Sequence, residues 1–306
     1  MPLICLPDER AMDLVGPLPD GIEVVVWNGR GQPGRDVTTT EFLVPAFAFS
    51  TPEQQRAVFA ELPKLRVIQV LSAGVDFIVG NTPPGVLLCD ARGVHGGSTA
   101  EWAMTALLAS LREIPRFVLA AQDHRWDQDT TDELAGKRVL VVGSGDLGEQ
   151  MARRLRAFDA EPTMVARTAR PGVHAVTELP ELLPYADIVV LVVPLTSETT
   201  RMVDAAFLAA MPDGSLLVNA ARGPIVDTDA LVAELQSRRL FAALDVTDPE
   251  PLPPDHPLWA APNLLLTPHV GGSVHGFPRR AYALVREQIL RFAAGQPLIN
   301  VVEGEY

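Results

Sequence analysis

Three side chains in this 306-residue sequence are suited to moving a proton beside a growing negative charge: Arg222 in "LLVNAARGPIVD", Glu250 in "LDVTDPEPLP" and His269 in "LLLTPHVGG". An imidazole titrates near neutrality, so it can give a proton to an oxygen that is gaining charge and take one back in reverse. A carboxylate on the other ring nitrogen would fix the tautomer and favour the imidazolium. A guanidinium can fork onto a carboxylate or polarise a carbonyl. Each residue taken singly has an ordinary reading. Arg222 could cap a helix or pair with an acid, Glu250 could be solvated in a proline-rich loop, and an isolated histidine is more often structural.

What distinguishes the three is their placement, since each lies just past a short apolar run. The second half of the chain alternates such runs ("KRVLVVG", "EPTMVA", "DIVVLVV", "SLLVNA", "FAALDV", "NLLLT") with amphipathic segments, one of them starting near Asp227. Runs that are apolar throughout suit parallel strands covered on both faces, and ligands of open α/β sheets bind beyond the carboxyl ends of the strands. All three side chains would then reach one edge of one sheet. The first third repeats the pattern in "LICLP", "IEVVVW", "FLVPAF", "LRVIQVLS" and "VLLCDA". A helical stretch at 98–121, with Ser98 as N-cap and Glu101 at the capping-box position, bridges the two halves.

The second unit opens on a glycine fingerprint, "VLVVGSGDLG", with Gly143, Gly145 and Gly148 after a strand and before a helix. Gly143 permits the tight turn, Gly145 leaves room for a pyrophosphate, and Gly148 allows close packing. The amides at the helix start, around Asp146 and Leu147, face the phosphates. Asp146 is an awkward choice beside phosphate oxygens and is expected to point to solvent. At the end of the next strand, where an acidic residue would bind the ribose hydroxyls of NAD, stand Arg167, Thr168 and Arg170. Two cations and a hydroxyl suit the 2′-phosphate of NADP, so NADP(H) is the expected cofactor, with NAD(H) possible. The alternative is a pair of solvated loop arginines with NAD bound loosely.

Composition narrows the remaining classes. A formal net charge of −13 argues against nucleic acid and anionic membrane surfaces, and 47% apolar content over this length predicts two globular domains. No apolar run is long enough to span a bilayer, and the N-terminus lacks the features of a signal peptide. Cys5 and Cys89 are too few for a disulfide framework or a thiolate metal site; a cytoplasmic protein without metal is expected.

Together the motifs resemble the D-isomer-specific 2-hydroxyacid dehydrogenases, a family that includes glyoxylate/hydroxypyruvate reductases and phosphoglycerate dehydrogenases. The resemblance covers nearly the whole chain. It rests on "SAGVD" (72–76), "TAEWAM" (99–104), the fingerprint, "VPLTSETTRMVD" (193–204), "NAARGPIVD" (219–227), "LDVTDPEPLP" (244–253) and "TPHVGG" (267–272). It implies an α/β fold of two Rossmann-like or flavodoxin-like parallel-sheet domains with a cleft between them. A discontinuous substrate domain would take 1–96 and 273–306, and a dinucleotide-binding Rossmann domain 97–272.

By the same resemblance Arg222, Glu250 and His269 match the catalytic set, and the backbone of Ala73 and Gly74 matches the loop for the substrate carboxylate. Val193, Pro194, Thr199, Ala221, Asp245 and Gly271 fall where the family lines the nicotinamide half of its cofactor. The implied reaction is hydride transfer between the dinucleotide and a small 2-keto or D-2-hydroxy acid such as glyoxylate or hydroxypyruvate. Phe47 and Phe49 would either wall the substrate side chain or belong to the core. The chain ends soon after its last helical segment, at 274–295, so the regulatory domain of some phosphoglycerate dehydrogenases is not expected. A homodimer through the cofactor domain, using the helix at 99–121, is implied. The same fold also supports nicotinamide-responsive corepressors, which act by binding partners.

Overall fold

Apolar runs without polar alternation form parallel strands in the computed structural model, which describes residues 2–31, 33–46 and 51–304. The chain divides into two units, one made of 1–95 and 275–306, the other of 96–274. The first unit begins with β1 (Leu3–Leu6), α1 (Glu9–Val15), β2 (Glu23–Val26), β3 (Thr40–Leu43), α2 (Pro52–Ala60), β4 (Val67–Gln69) and β5 (Leu87–Cys89). Its five strands lie in the order β2-β1-β3-β4-β5, all paired in parallel.

The second unit contains α3 (Gly96–Leu111), α4 (Ile114–Gln122), β6 (Arg138–Val142), α5 (Asp146–Arg156), β7 (Glu161–Ala166), β8 (Val173–Ala175) and α6 (Leu179–Leu182). It continues with β9 (Ile188–Leu191), α7 (Ala205–Ala210), β10 (Leu216–Asn219), α8 (Thr228–Gln236), β11 (Phe241–Leu244) and β12 (Leu264–Leu266). The seven strands run in parallel in the order β12-β11-β10-β9-β6-β7-β8. Alternate residues of β6 enter opposite cores. Leu140 and Val142 pack with Leu208, Leu231 and Leu235, while Val139 and Val141 pack with Leu107, Met151 and Leu155. Both faces of the sheet are therefore covered, which is why its strands carry no polar stripe. The last helix, α9 (Phe277–Ala293), returns to the first unit, where Tyr282, Val285 and Ile289 pack on Ile4, Leu6 and Phe42.

Three local expectations change. The helix expected over 98–121 is two helices, because Pro115 lacks the N–H that the carbonyl of Leu111 would need and its ring crowds that carbonyl. The chain turns at Glu113, whose φ is 48°. α3 also starts at Gly96, so Ser98 lies inside it instead of capping it. Strand β8 carries no apolar run, being three half-buried or exposed residues at the sheet edge. Among the described residues no helix is long and apolar enough to cross a membrane.

A buried amide pair fastens α9 and the segment after it to the first unit's sheet. The fully buried Gln69 donates from Nε2 to the carbonyls of Val70, Cys89 and Asp90 at 2.9, 3.3 and 2.9 Å. Its oxygen accepts from Nε2 of the fully buried Gln288 at 2.9 Å. Gln288 also donates to the carbonyl of Ile299 at 2.7 Å and accepts from its amide at 3.0 Å. The network anchors the end of β4, from which the "SAGVD" loop springs. Gln288→Leu strands Gln69 and both backbone groups of Ile299, so stability should fall by about 2–4 kcal/mol. Urea unfolding of the variant reads this directly, and an unmoved midpoint would show that the network is dispensable.

Candidate active site

The order of the seven-stranded sheet decides which loops can meet. β6 comes first in sequence among them; β7 and β8 build to one side and β9 to β12 to the other, so the chain reverses direction across the sheet between β6 and β9. That switch leaves a crevice beyond the carboxyl ends of the two strands. His269 follows β12, Asp245 and Glu250 follow β11, Ala221 and Arg222 follow β10, and Val193 and Pro194 follow β9. The glycine fingerprint follows β6, and Arg167 follows β7. Every candidate cofactor or catalytic residue that the sequence singles out in this unit thus lies beyond a strand's carboxyl end.

At one end of that edge Nδ1 of His269 donates to Oε1 of Glu250 at 2.6 Å. The pair is open to solvent, with side chains 45% and 41% exposed. What holds it is Asp245, buried to 4% exposure. One oxygen of Asp245 accepts from the Thr267 hydroxyl at 2.6 Å and from the Val270 amide at 2.8 Å. The other accepts from the Gly271 amide at 2.7 Å, and the Asp245 carbonyl accepts from the His269 amide at 2.7 Å. These four bonds grip 267–271 on both sides of the histidine. They keep His269 at φ 54°, a left-handed conformation that non-glycine residues rarely adopt. Asp245, placed by resemblance on the cofactor, spends its carboxylate on the histidine loop.

Arg222 is set by two independent clamps. The buried Asn219 accepts from the Ala221 amide at 3.0 Å and donates to the Arg222 carbonyl at 3.0 Å, folding the chain directly after β10. The segment beyond is laced to the loop before α7: Arg201 donates its amide to Pro224 at 2.8 Å, Val203 to Ile225 at 3.0 Å, and Asp227 to Val203 at 2.9 Å. Asp227 also caps α8 by accepting from Ala230 and pairs with the Arg201 guanidinium, which holds its carboxyl below the usual range. The Arg222 guanidinium donates to the Ala221 carbonyl at 2.9 Å.

The fingerprint fits a pyrophosphate. A Cβ on Gly143, where φ is 119°, would meet the Val192 carbonyl oxygen at 2.5 Å, and one on Gly148 would meet the Gly143 oxygen at 2.1 Å. The turn can therefore pass between β6, β9 and α5 only with glycine at those points. Gly145, the N-cap of α5, has open space over its Cα, and no side chain caps the helix there. Free amides at Gly145, Asp146 and Leu147 beside open space suit an anion. Asp146 is exposed as expected, but its carboxylate turns to α3, where a Cβ on Gly96 would lie 1.9 Å from it. On the neighbouring loop Thr199 donates its hydroxyl to the Pro194 carbonyl at 2.6 Å.

The two arginines after β7 are already engaged. Arg170 donates to the carbonyl and hydroxyl oxygens of Ser144, inside the fingerprint, at 3.0 and 2.7 Å. Arg167 pairs at 2.9 Å with Glu198 from the loop after β9. Thr168 is exposed between them. Sequence reasoning missed Glu198 because its partner lies on another loop of the sheet, and only the strand order reveals their proximity. In the other unit the Ser72 hydroxyl donates to the Gly74 carbonyl at 2.8 Å, shaping the Ala73–Gly74 turn beyond β4. Phe47 and Phe49 lie outside the described residues. Cys5 and Cys89 are buried free thiols that burial pushes up to about 12, so neither is a nucleophile. Among the described residues no group of three His, Cys, Asp or Glu is placed to hold a metal.

Asp245→Asn sets an amide group against at least one backbone N–H of the histidine loop. Leaving that buried donor unpaired should cost about 1–3 kcal/mol of stability. Urea denaturation measures it, and wild-type stability would mean the loop is held by something else.

Residues 104–271 match the D-isomer specific 2-hydroxyacid dehydrogenase, NAD binding domain. A glyoxylate reductase of Thermofilum pendens is 35% identical over 258 residues, 79% of this chain and 74% of that protein. A D-3-phosphoglycerate dehydrogenase of Methanocaldococcus jannaschii is 34% identical over 260 residues, 81% of this chain; the chain spans about half of that relative's length, 49%. Among solved structures, the D-isomer specific 2-hydroxyacid dehydrogenase of Xanthobacter autotrophicus with NADPH superposes with a TM-score of 0.83 at 32% identity, covering 99% of this chain and 98% of that one. The NADPH-dependent glyoxylate/hydroxypyruvate reductase of Sinorhizobium meliloti with NADP and sulfate gives 0.84 at 29%, over 99% and 98%. The chain belongs to the D-isomer specific 2-hydroxyacid dehydrogenase family.

Proposed function

We propose that the chain reduces a small 2-keto acid, of the glyoxylate or hydroxypyruvate kind, to the D-2-hydroxy acid with NADP(H), and accepts NAD(H) less well. The observation that carries this is the 2.6 Å bond from His269 Nδ1 to Glu250 on the sheet edge that also bears the glycine fingerprint. With Nδ1 committed to a carboxylate, Nε2 is the nitrogen that can hold a proton for substrate, and Glu250 steadies the charge when it does. Arg222 is the counter-charge for the substrate carboxylate and the polariser of its carbonyl. Ala73 and Gly74 are assigned to the substrate carboxylate as backbone donors.

Gly143, Gly145, Asp146, Leu147 and Gly148 would hold the pyrophosphate, and Val193, Pro194, Thr199, Ala221, Asp245 and Gly271 the nicotinamide half. When bound, the reduced nicotinamide supplies a hydride to the keto carbon. The negative charge that develops on the keto oxygen is met by the His269 proton and the Arg222 guanidinium. In oxidation the neutral imidazole takes the proton from the hydroxyl. Arg167 and Arg170 after β7 support the choice of NADP(H), as do the NADPH and NADP complexes of similar structures. The two separate, buried thiols suit a reducing cytoplasm.

A homodimer through the cofactor unit is part of this reading. α4 and the segment after it expose Ile114, Val118, Leu119 and Trp126 at 48, 51, 60 and 93%, an apolar face whose partner we take to be a second copy.

His269→Ala should lower keto-acid turnover by about 10²- to 10⁴-fold while cofactor affinity stays within a few-fold. NADPH absorbance with a panel of 2-keto acids reads the first and fluorescence titration the second. Oxidation of NADPH by the variant at the wild-type rate would remove the histidine from the reaction. Tight cofactor binding without turnover of any keto acid would instead favour a nucleotide-responsive binding protein. Leu119→Asp should convert the dimer to monomer in light scattering; a wild-type that already elutes as a monomer would sink the dimer.

A further inference from the structure

The ion pair between Arg167 and Glu198 spans the fingerprint. β7 and β9 flank β6 on either side, so a bond between the loops that follow them crosses over the end of β6, where the glycine turn starts. Glu198 is held there by a tight loop. Thr196 accepts at its carbonyl from the Thr200 amide and hydroxyl, at 3.0 and 2.7 Å, and its own amide donates to the Thr199 hydroxyl at 2.8 Å. The sequence around Arg167 contains no acid, yet the fold brings one to it from a different strand.

We propose that Glu198 is a cofactor-specificity residue, which competes with the 2′-phosphate for Arg167. It rests on the reading that the adenosine ribose lies over the loop after β7. With a bare 2′-hydroxyl at that point, the Arg167–Glu198 pair stays closed. A 2′-phosphate must take the guanidinium from the carboxylate and then sit close to a like charge. Both side chains are 65% exposed, so the pair is well solvated and inexpensive to break, and the displacement is within reach of a dianion. Arg170 cannot stand in without loss, since its guanidinium already ties Ser144 of the fingerprint to the loop. Glu198 thus sets the discrimination between the two dinucleotides below the level that Arg167 alone would give.

Calorimetric titration of the purified chain with 2′,5′-ADP and with 5′-AMP, which differ only in the 2′-phosphate, separates this from turnover. Glu198→Gln keeps the size of the side chain and removes the charge. It should raise the preference for 2′,5′-ADP over 5′-AMP by about 3- to 20-fold at low salt, and by less at high salt. Adding Arg167→Ala to Glu198→Gln should erase that gain, because the gain is made through Arg167. A preference within two-fold of wild type in Glu198→Gln, or a gain that survives without Arg167, overturns the proposal. The wild-type preference tests the underlying choice of NADP(H) by itself: no preference for the 2′-phosphate in wild type refutes that choice, while the change on Glu198→Gln still decides the role of the glutamate.

Discussion

The histidine loop stands or falls with the carboxylate of Asp245. A buried carboxylate is costly unless its lone pairs are met, and here both oxygens are used, by Thr267, Val270 and Gly271. The bonds bracket His269 in sequence, so its backbone cannot move without breaking them. They also offset the left-handed backbone at His269, a conformation that costs on the order of 1–3 kcal/mol. Asp245 comes from the end of β11 and the loop from the end of β12, neighbouring strands in register from Ala242–Leu264 to Leu244–Leu266. Strand pairing therefore fixes the anchor, the anchor fixes the loop, and the loop aims the imidazole at Glu250.

A second constraint operates further along the same edge, at β6. The glycine turn must pass within van der Waals limits of β9, and any side chain at Gly143 would collide with the Val192 carbonyl. That contact brings the β6 and β9 ends together at the strand reversal, where parallel sheets leave a crevice. The open Cα of Gly145 and the uncapped amides of α5 then face it. Packing on one side of the turn is what leaves space on the other.

Much of this was legible from residue order. Eleven of the strands correspond to apolar or β-branched runs read directly off the chain, and a parallel sheet buried on both faces has little other way to be written. β8 escaped because an edge strand with exposed residues carries no such run. The break in the 98–121 helix was encoded by Pro115, but an apolar pattern continuing across it outweighed a single imino acid. The catalytic candidates were visible through their positions after strands. What could not be read was pairing between loops: Asp245 with 267–271, and Glu198 with Arg167. These contacts depend on which strands are neighbours, and the order β9-β6-β7 places side by side loops that the chain keeps far apart.

The exposure of the His269–Glu250 pair explains why so much structure lies behind it. An ion pair this open contributes only about 0–1 kcal/mol to folding, so it is not what keeps the loop in place. Left to itself, a solvated imidazole beside a carboxylate would sample many orientations. The buried groups fix the backbone that carries the ring: Asp245 at the loop and the strand pairing of β11 and β12 beneath it carry the stability, and a change of charge in the exposed pair leaves them in place. In the proposed role the imidazole would lose and regain its proton each cycle, and a fold that depended on that proton would loosen each time. Separating the anchoring carboxylate from the one that touches the ring lets the same loop be rigid and chemically reversible.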